Sequence, residues 1–150
     1  MTDLSPFEAL VPLDHGLCVV VTRRPDGSPH ATVVNAGVIP HAFADEVAVA
    51  FVSAGSSRKL RHLRADPFAV LTVRVGWRWA TVEGAATIIG PDDPHPDVDD
   101  ERLRTLLRVI FEAAGGTHDD WPTYDRTMIE ERRAAVLVTP SRVYTNPGPA

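Results

Sequence analysis

Phe51-Val52-Ser53-Ala54-Gly55-Ser56-Ser57-Arg58-Lys59-Leu60-Arg61-His62-Leu63-Arg64-Ala65-Asp66-Pro67 runs from the end of an apolar strand, through a small-residue turn, into a short helix. Ser57 or Ser56 supplies the cap, and Pro67 halts the helix. A helix start presents backbone N–H groups with no intrahelical acceptor, so serine hydroxyls and two cations beside it make a ready site for a phosphate. Lys59 is the only lysine in the chain, and every other strong cation is arginine. A solitary lysine against that bias suggests that a compact, flexible ammonium is wanted there. The plain alternative is a solvated basic face carrying Arg58, Lys59, Arg61 and Arg64.

Working outward, Glu46–Val52 is the strand that feeds this turn and Phe68–Val75 is the strand that leaves it. Upstream, Leu17-Cys18-Val19-Val20-Val21-Thr22 is apolar on both faces, as for a strand buried in a barrel or between layers. Arg24–Pro29 is a strong turn, and His30 to about Val38 completes a hairpin. Leu4, Phe7, Leu10 and Val11 recur at helical spacing before it. Downstream, Gly76 turns the chain into a long segment, Trp77–Ile89, in which Gly84 marks a bulge or bend. Leu103, Leu106, Leu107, Ile110 and Phe111 form a helical stripe stopped by Gly115-Gly116. A shorter helix follows Asp120, and Arg133–Tyr144 closes the chain as a last strand around Pro140. The expectation is a mainly β fold: one domain over residues 1–150, a small six-stranded, mostly antiparallel β-barrel with helices packed outside.

The chain has 150 residues, 44% hydrophobic and 23% charged, with a net charge of -5. That charge argues against a nucleic-acid surface. No apolar run is long enough to span a bilayer, and Met1–Pro6 lacks the pattern of a signal peptide, so no membrane association and a cytoplasmic location are expected. The single cysteine, Cys18, sits among apolar residues and reads as a buried, inert thiol.

With Phe51–Lys59 in place, further pieces fall in order: Leu63-Arg64-Ala65-Asp66-Pro67, Trp77-Arg78-Trp79 with Val82-Glu83-Gly84, His118-Asp119-Asp120-Trp121 with Tyr124-Asp125-Arg126, and Arg142-Val143-Tyr144. Their order and spacing resemble the FMN-binding split barrel of the pyridoxamine 5′-phosphate oxidase superfamily. More closely, they resemble its actinobacterial branch of deazaflavin (coenzyme F420)-dependent oxidoreductases. The resemblance implies a homodimer with two cofactor sites at the subunit interface. It implies that Ser57, Arg58 and Lys59 hold the cofactor phosphate. Thr32, Val33, Val34 and Asn35 would line the ring, and Val52 and Ser53 would close its other edge. The implied cofactor is coenzyme F420, with FMN as the alternative, and the implied partner a small conjugated acceptor; a reading of another class is a carrier of flavin, deazaflavin or haem without turnover of its own. Ser57 stands where this branch sometimes has a cation. The chain stops soon after Tyr144-Thr145-Asn146-Pro147, without the extension that grips phosphorylated vitamin B6, so pyridoxal phosphate synthesis is not expected.

Other constellations have plainer readings. Asp92, Asp93, His95, Asp97, Asp99, Asp100 and Glu101 match no calcium loop and read as a solvated loop ending in a helix cap, with no metal. The scattered histidines, His30, His41, His62, His95 and His118, lack zinc spacing. Trp77 and Trp79, two apart on a strand, would share a face, where they wall a pocket or simply pack. No acid–base pair stands out, and hydride transfer asks mainly for alignment of donor and acceptor.

Overall fold

The computed structural model describes residues 2–146. Met1 and Pro147, used above for the chain ends, lie outside them. The protein is mainly β. Helix α1 (Ser5–Leu10) and a single 3-10 turn lead into β1 (Leu17–Arg23), β2 (Pro29–Pro40) and β3 (Val47–Ser53). Then come α2 (Arg58–Ala65), β4 (Phe68–Val75), β5 (Arg78–Ile89), α3 (Asp100–Ala113), α4 (Trp121–Glu130) and β6 (Ala134–Thr145). The six strands close an antiparallel barrel in the order β1-β2-β3-β6-β5-β4. At one end, here the upper, β1, β3 and β5 finish and α2 crosses from β3 to β4. At the lower end α1 approaches β1.

Strand alternation explains the core. Every second residue points inward, and Val20, Phe51, Leu71, Val82 and Val136 fill the barrel almost without solvent contact. Phe7 and Leu10 of α1 belong to the same cluster. A second core lies outside the barrel, where Ala48, Ala50, Ile89 and Leu137 meet Leu107 and Ile110 of α3. Asp99 caps α3 by accepting from the Arg102 N–H at 2.8 Å, and Asp120 caps α4 by accepting from Thr123.

Three expectations are corrected. β1 is buried on its inner face alone: Leu17 and Val19 point outward, 40% and 42% exposed, because no helix covers that side. The irregularity at Gly84 is real, but the extra residue lies on β6. Glu83 pairs with Arg142 and Gly84 with Pro140, leaving Ser141 as the bulge. Its hydroxyl donates to the Glu83 carbonyl at 3.0 Å. Gly84 is required by close approach, since a Cβ there would lie 1.8 Å from the Thr139 carbonyl oxygen. Trp77 is in the β4–β5 turn, 93% exposed, so it does not share a strand face with Trp79.

Candidate functional site: the open edge between β2 and β3

β2 changes partners midway. Its second half pairs with β3, from Ala36↔Phe51 to Pro40↔Val47, and there the ladder ends. Continuing that register would set Asn35 opposite Val52 and Val34 opposite Ser53. Instead Pro29–Asn35 pairs with β1, while Val52 and Ser53 pair with Ala135 and Ala134 of β6. The sheet is therefore split between residues 30–35 and residues 52–53. In an antiparallel ladder alternate residues turn their N–H and C=O away from the partner, so on β2 these groups face the opening. Such an unpaired edge invites another hydrogen-bonding group. Thr32, Val33, Val34, Asn35, Val52 and Ser53 are thus brought together as the two lips of the split.

The head of α2 stands above it. Ser57 occupies the cap position in extended conformation, but its hydroxyl does not cap. It lies 2.7 Å from the hydroxyl of Ser53, which points into the barrel. The expected cap is corrected accordingly: the first N–H groups of α2 have no side-chain acceptor. Arg58 is exposed and Lys59 half-buried, and neither has a carboxylate partner among the described residues. Burial, and then the nearby Arg133, hold the Lys59 ammonium below the usual lysine range.

Two inward-facing atoms on β2, His30 Nδ1 and Thr32 Oγ1, are buried without a hydrogen-bond partner. Across from them, Thr22 Oγ1 and His62 Nδ1 are 2.9 Å apart, and the His30 and His62 rings meet edge-on at 5.0 Å. Burial comes first, followed by His62, Arg24, Lys59 and Arg58, in holding His30 below the ordinary histidine range. Cation, amide and unpaired hydroxyl therefore converge at the upper end of the split.

Outside the lips is a cleft of ≈ 600 Å³ between the sheet and helices α3 and α4, with Asn35, Val52, Phe111, Tyr124, Glu131 and Arg133 on its wall. That size suits a small ligand. The Tyr124 hydroxyl donates to the Leu107 carbonyl at 3.1 Å, and burial pushes its pKa up to about 12. It is a structural donor rather than an acid in waiting. A second hollow of ≈ 490 Å³, beside Leu103 and Ile129, touches neither β2 nor α2.

Glu131 and Arg133 were not foreseen. Only strand order, which brings Ala134 beside Ser53, places them at the split. The Gly55 N–H donates to the Glu131 carbonyl at 3.0 Å. A Cβ on Gly55 would come within 2.5 Å of the Arg132 carbonyl oxygen, so this turn tolerates no side chain. Trp79 does not join the site within one chain. It lies at the lower end of β5, packed edge-on against Tyr144, whereas Ser53 stands at the level of Ile89. Ten residues of strand, about 30 Å, separate the two levels. The acidic loop is not simply solvated: Asp92 pairs with Arg132 and Asp93 with Arg64, tying the loop to the α4–β6 turn and to α2.

A six-stranded barrel opened along one lip, with a cationic helix head above the opening, defines the split-barrel class. Residues 7–146 match the pyridoxamine 5′-phosphate oxidase family, and the chain belongs to that family of flavin-binding split barrels. Solved structures share the fold. A conserved hypothetical protein of Mycobacterium tuberculosis is 21% identical, covering 97% of this chain and 84% of the other, with TM-score 0.70. An F420 reductase is 20% identical over 91% and 94%, with TM-score 0.60. A pyridoxamine 5′-phosphate oxidase-related, FMN-binding protein of Nostoc punctiforme is 18% identical over 95% and 78%, with TM-score 0.60. No helix among the described residues is long and apolar enough to cross a membrane.

Proposed function

We propose that the protein is a homodimeric oxidoreductase that holds coenzyme F420 at the split and passes hydride to a small conjugated acceptor. The observation that carries this reading is the unpaired β2 edge, residues 30–35, lying directly below an uncapped, cationic helix head. The residues fit a flavin-type group. Free amides on β2 offer in-plane hydrogen bonds to a ring, and the α2 head with Arg58 and Lys59 offers an anion site. When bound, the cofactor supplies the hydride.

The chain's own residues bind, orient and exclude water. Asn35 donates to the His15 carbonyl at 2.8 Å, which fixes the lower lip. Phe111 and Tyr124 give the outer cleft an aromatic side, backed by Trp121, which packs edge-on against both. Hydride transfer in such a site depends on alignment more than on an acid–base pair. The preference for F420 over FMN rests on the motif resemblance, from Leu63–Pro67 to Arg142–Tyr144.

The homodimer is supported by the uncovered face of β1 and β2. Val19 and Val33 are cross-strand partners there, both pointing out, and Val33 is 64% exposed. A two-fold partner is also the route by which Trp79 reaches a cleft, that of the other copy.

Parallel fluorescence titrations with F420 and FMN at one salt concentration test the reading. Tighter F420 binding supports it; tighter FMN binding moves the protein to the FMN branch; binding of neither returns the α2 head to a solvated basic face. Lys59→Ala is expected to weaken cofactor binding about tenfold, as for a lost charge-assisted hydrogen bond, with an unchanged circular dichroism spectrum.

A further inference from the structure

We propose that Arg133 is the second arm of the anion clamp at the head of α2, and that Glu131 is the carboxylate that holds this arm when no ligand is bound. The inference rests on the cofactor reading above and names a residue of the same site that the family resemblance did not supply.

Position comes first. Arg133 immediately precedes Ala134, the register partner of Ser53, so it enters the site from the strand opposite the Ala54-Gly55 turn. Its side chain lies on the wall of the cleft that Asn35 and Val52 also line. It therefore faces the cleft from β6, next to the register partner of Ser53, whose hydroxyl lies 2.7 Å from that of Ser57 at the head of α2.

The ion pair it makes is incomplete. Its Nε and Nη2 both reach one oxygen of Glu131, Oε1, at 2.8 Å. A guanidinium carries five N–H donors in a planar fork, and a carboxylate or phosphate facing it squarely takes two of them with two oxygens. Here a single oxygen takes both, leaving the Nη1 edge and the other Glu131 oxygen uncommitted. The pair is about one-third to one-half exposed, where such contacts are weak and exchangeable.

Charge supplies the reason to exchange. Arg133 is close enough to Lys59 to disfavour its charged form, and no carboxylate pairs with Lys59 among the described residues. Two cations this close repel until an anion answers them both. Glu131 answers one of the two. A phosphate ester, with two or three terminal oxygens, answers both and accepts from the α2 N–H groups as well. Glu131 is thus a built-in competitor, and removing its charge frees the arm.

The test compares ligands that share a ring and differ in phosphate: FMN against riboflavin, and F420 against its phosphate-free deazaflavin chromophore. Fluorescence titrations are run on the full chain, on Arg133→Gln, Arg133→Lys, Glu131→Gln and the double variant, with melting curves alongside. The wild type is expected to prefer the phosphorylated member of whichever pair binds. Arg133→Gln should lose about tenfold for that member and less than twofold for its phosphate-free counterpart. Arg133→Lys should fall between. Glu131→Gln should bind the phosphorylated member several-fold more tightly, and this gain should vanish in the double variant.

A retained phosphate preference in Arg133→Gln overturns the inference while leaving the cofactor reading intact. Equal losses for both members of a pair make Arg133 a mere wall of the cleft. Binding of none of the four ligands to the wild type overturns the reading and the inference together.

Discussion

Ser57 stands where a helix cap is expected and uses its hydroxyl on Ser53 instead, so the backbone amides it might have satisfied are left for something else. His30 shows the same economy in a titrating group. Its Nδ1 is buried without a partner, and burial, His62 and the surrounding cations oppose its protonation. Because the folded protein takes up this proton less readily than the unfolded chain, the group favours folding fully above about pH 6.5. That contribution is lost as pH falls below this value and through the lowered pKa of the folded state. Melting temperatures measured between pH 7.5 and 5.5 should therefore decline less in His30→Gln than in the wild type; parallel declines would show that His30 carries none of the slope. At this scale the sequence was partly legible. Serines and cations beside a helix start are legible from composition alone, as with Lys59, and they carry the proposed anion site. Arg133 stayed hidden because nothing in its neighbours along the chain says that Ala134 will lie beside Ser53.

At the scale of elements, the apolar runs and turn residues located all six strands, since alternation and Gly/Pro punctuation are local properties. Partner exchange along a strand is not local. β2 reads as one extended segment, yet it leaves β1 for β3 at Asn35 and Ala36, and that exchange creates the split. β6 bends similarly: Pro140 cannot donate to a ladder, and Ser141 bulges beside it opposite Glu83 and Gly84. Gly84 sounded a warning in the sequence without saying which strand would carry the extra residue. Its role is steric, because a side chain would meet the Thr139 carbonyl head-on. Gly84→Ala is expected to cost about 1–3 kcal/mol, the range for overpacking against an interior that must shift. A lower urea midpoint with unchanged slope is the sign of that loss. An unchanged midpoint would mean that β6 moves aside freely at the bulge.

At the scale of the molecule, the barrel is dressed unevenly. α3 and α4 cover the outer faces of β3 and of parts of β2 and β6, while β1 and the first half of β2 present Leu17, Val19 and Val33 to solvent. β1 reads as buried on both faces because hydrophobicity records that a surface suits being covered, and in the proposed homodimer a second copy of the chain would cover it as a helix does. Two identical faces meeting about a two-fold axis would place Val33 near the centre of the contact and bury the Val19–Val33 pair twice over. Val33→Asp separates association from folding. The side chain is 64% exposed in the single chain, so a carboxylate there should change the stability of a monomer by no more than about 0.5 kcal/mol. In a dimer the same change buries two unpaired charges against each other. Sedimentation at micromolar concentration should thus find a dimer for the wild type and a folded monomer for Val33→Asp. A wild-type monomer at every concentration would leave the apolar face without its proposed partner, and a Val33→Asp variant that stays dimeric would place the contact on another face.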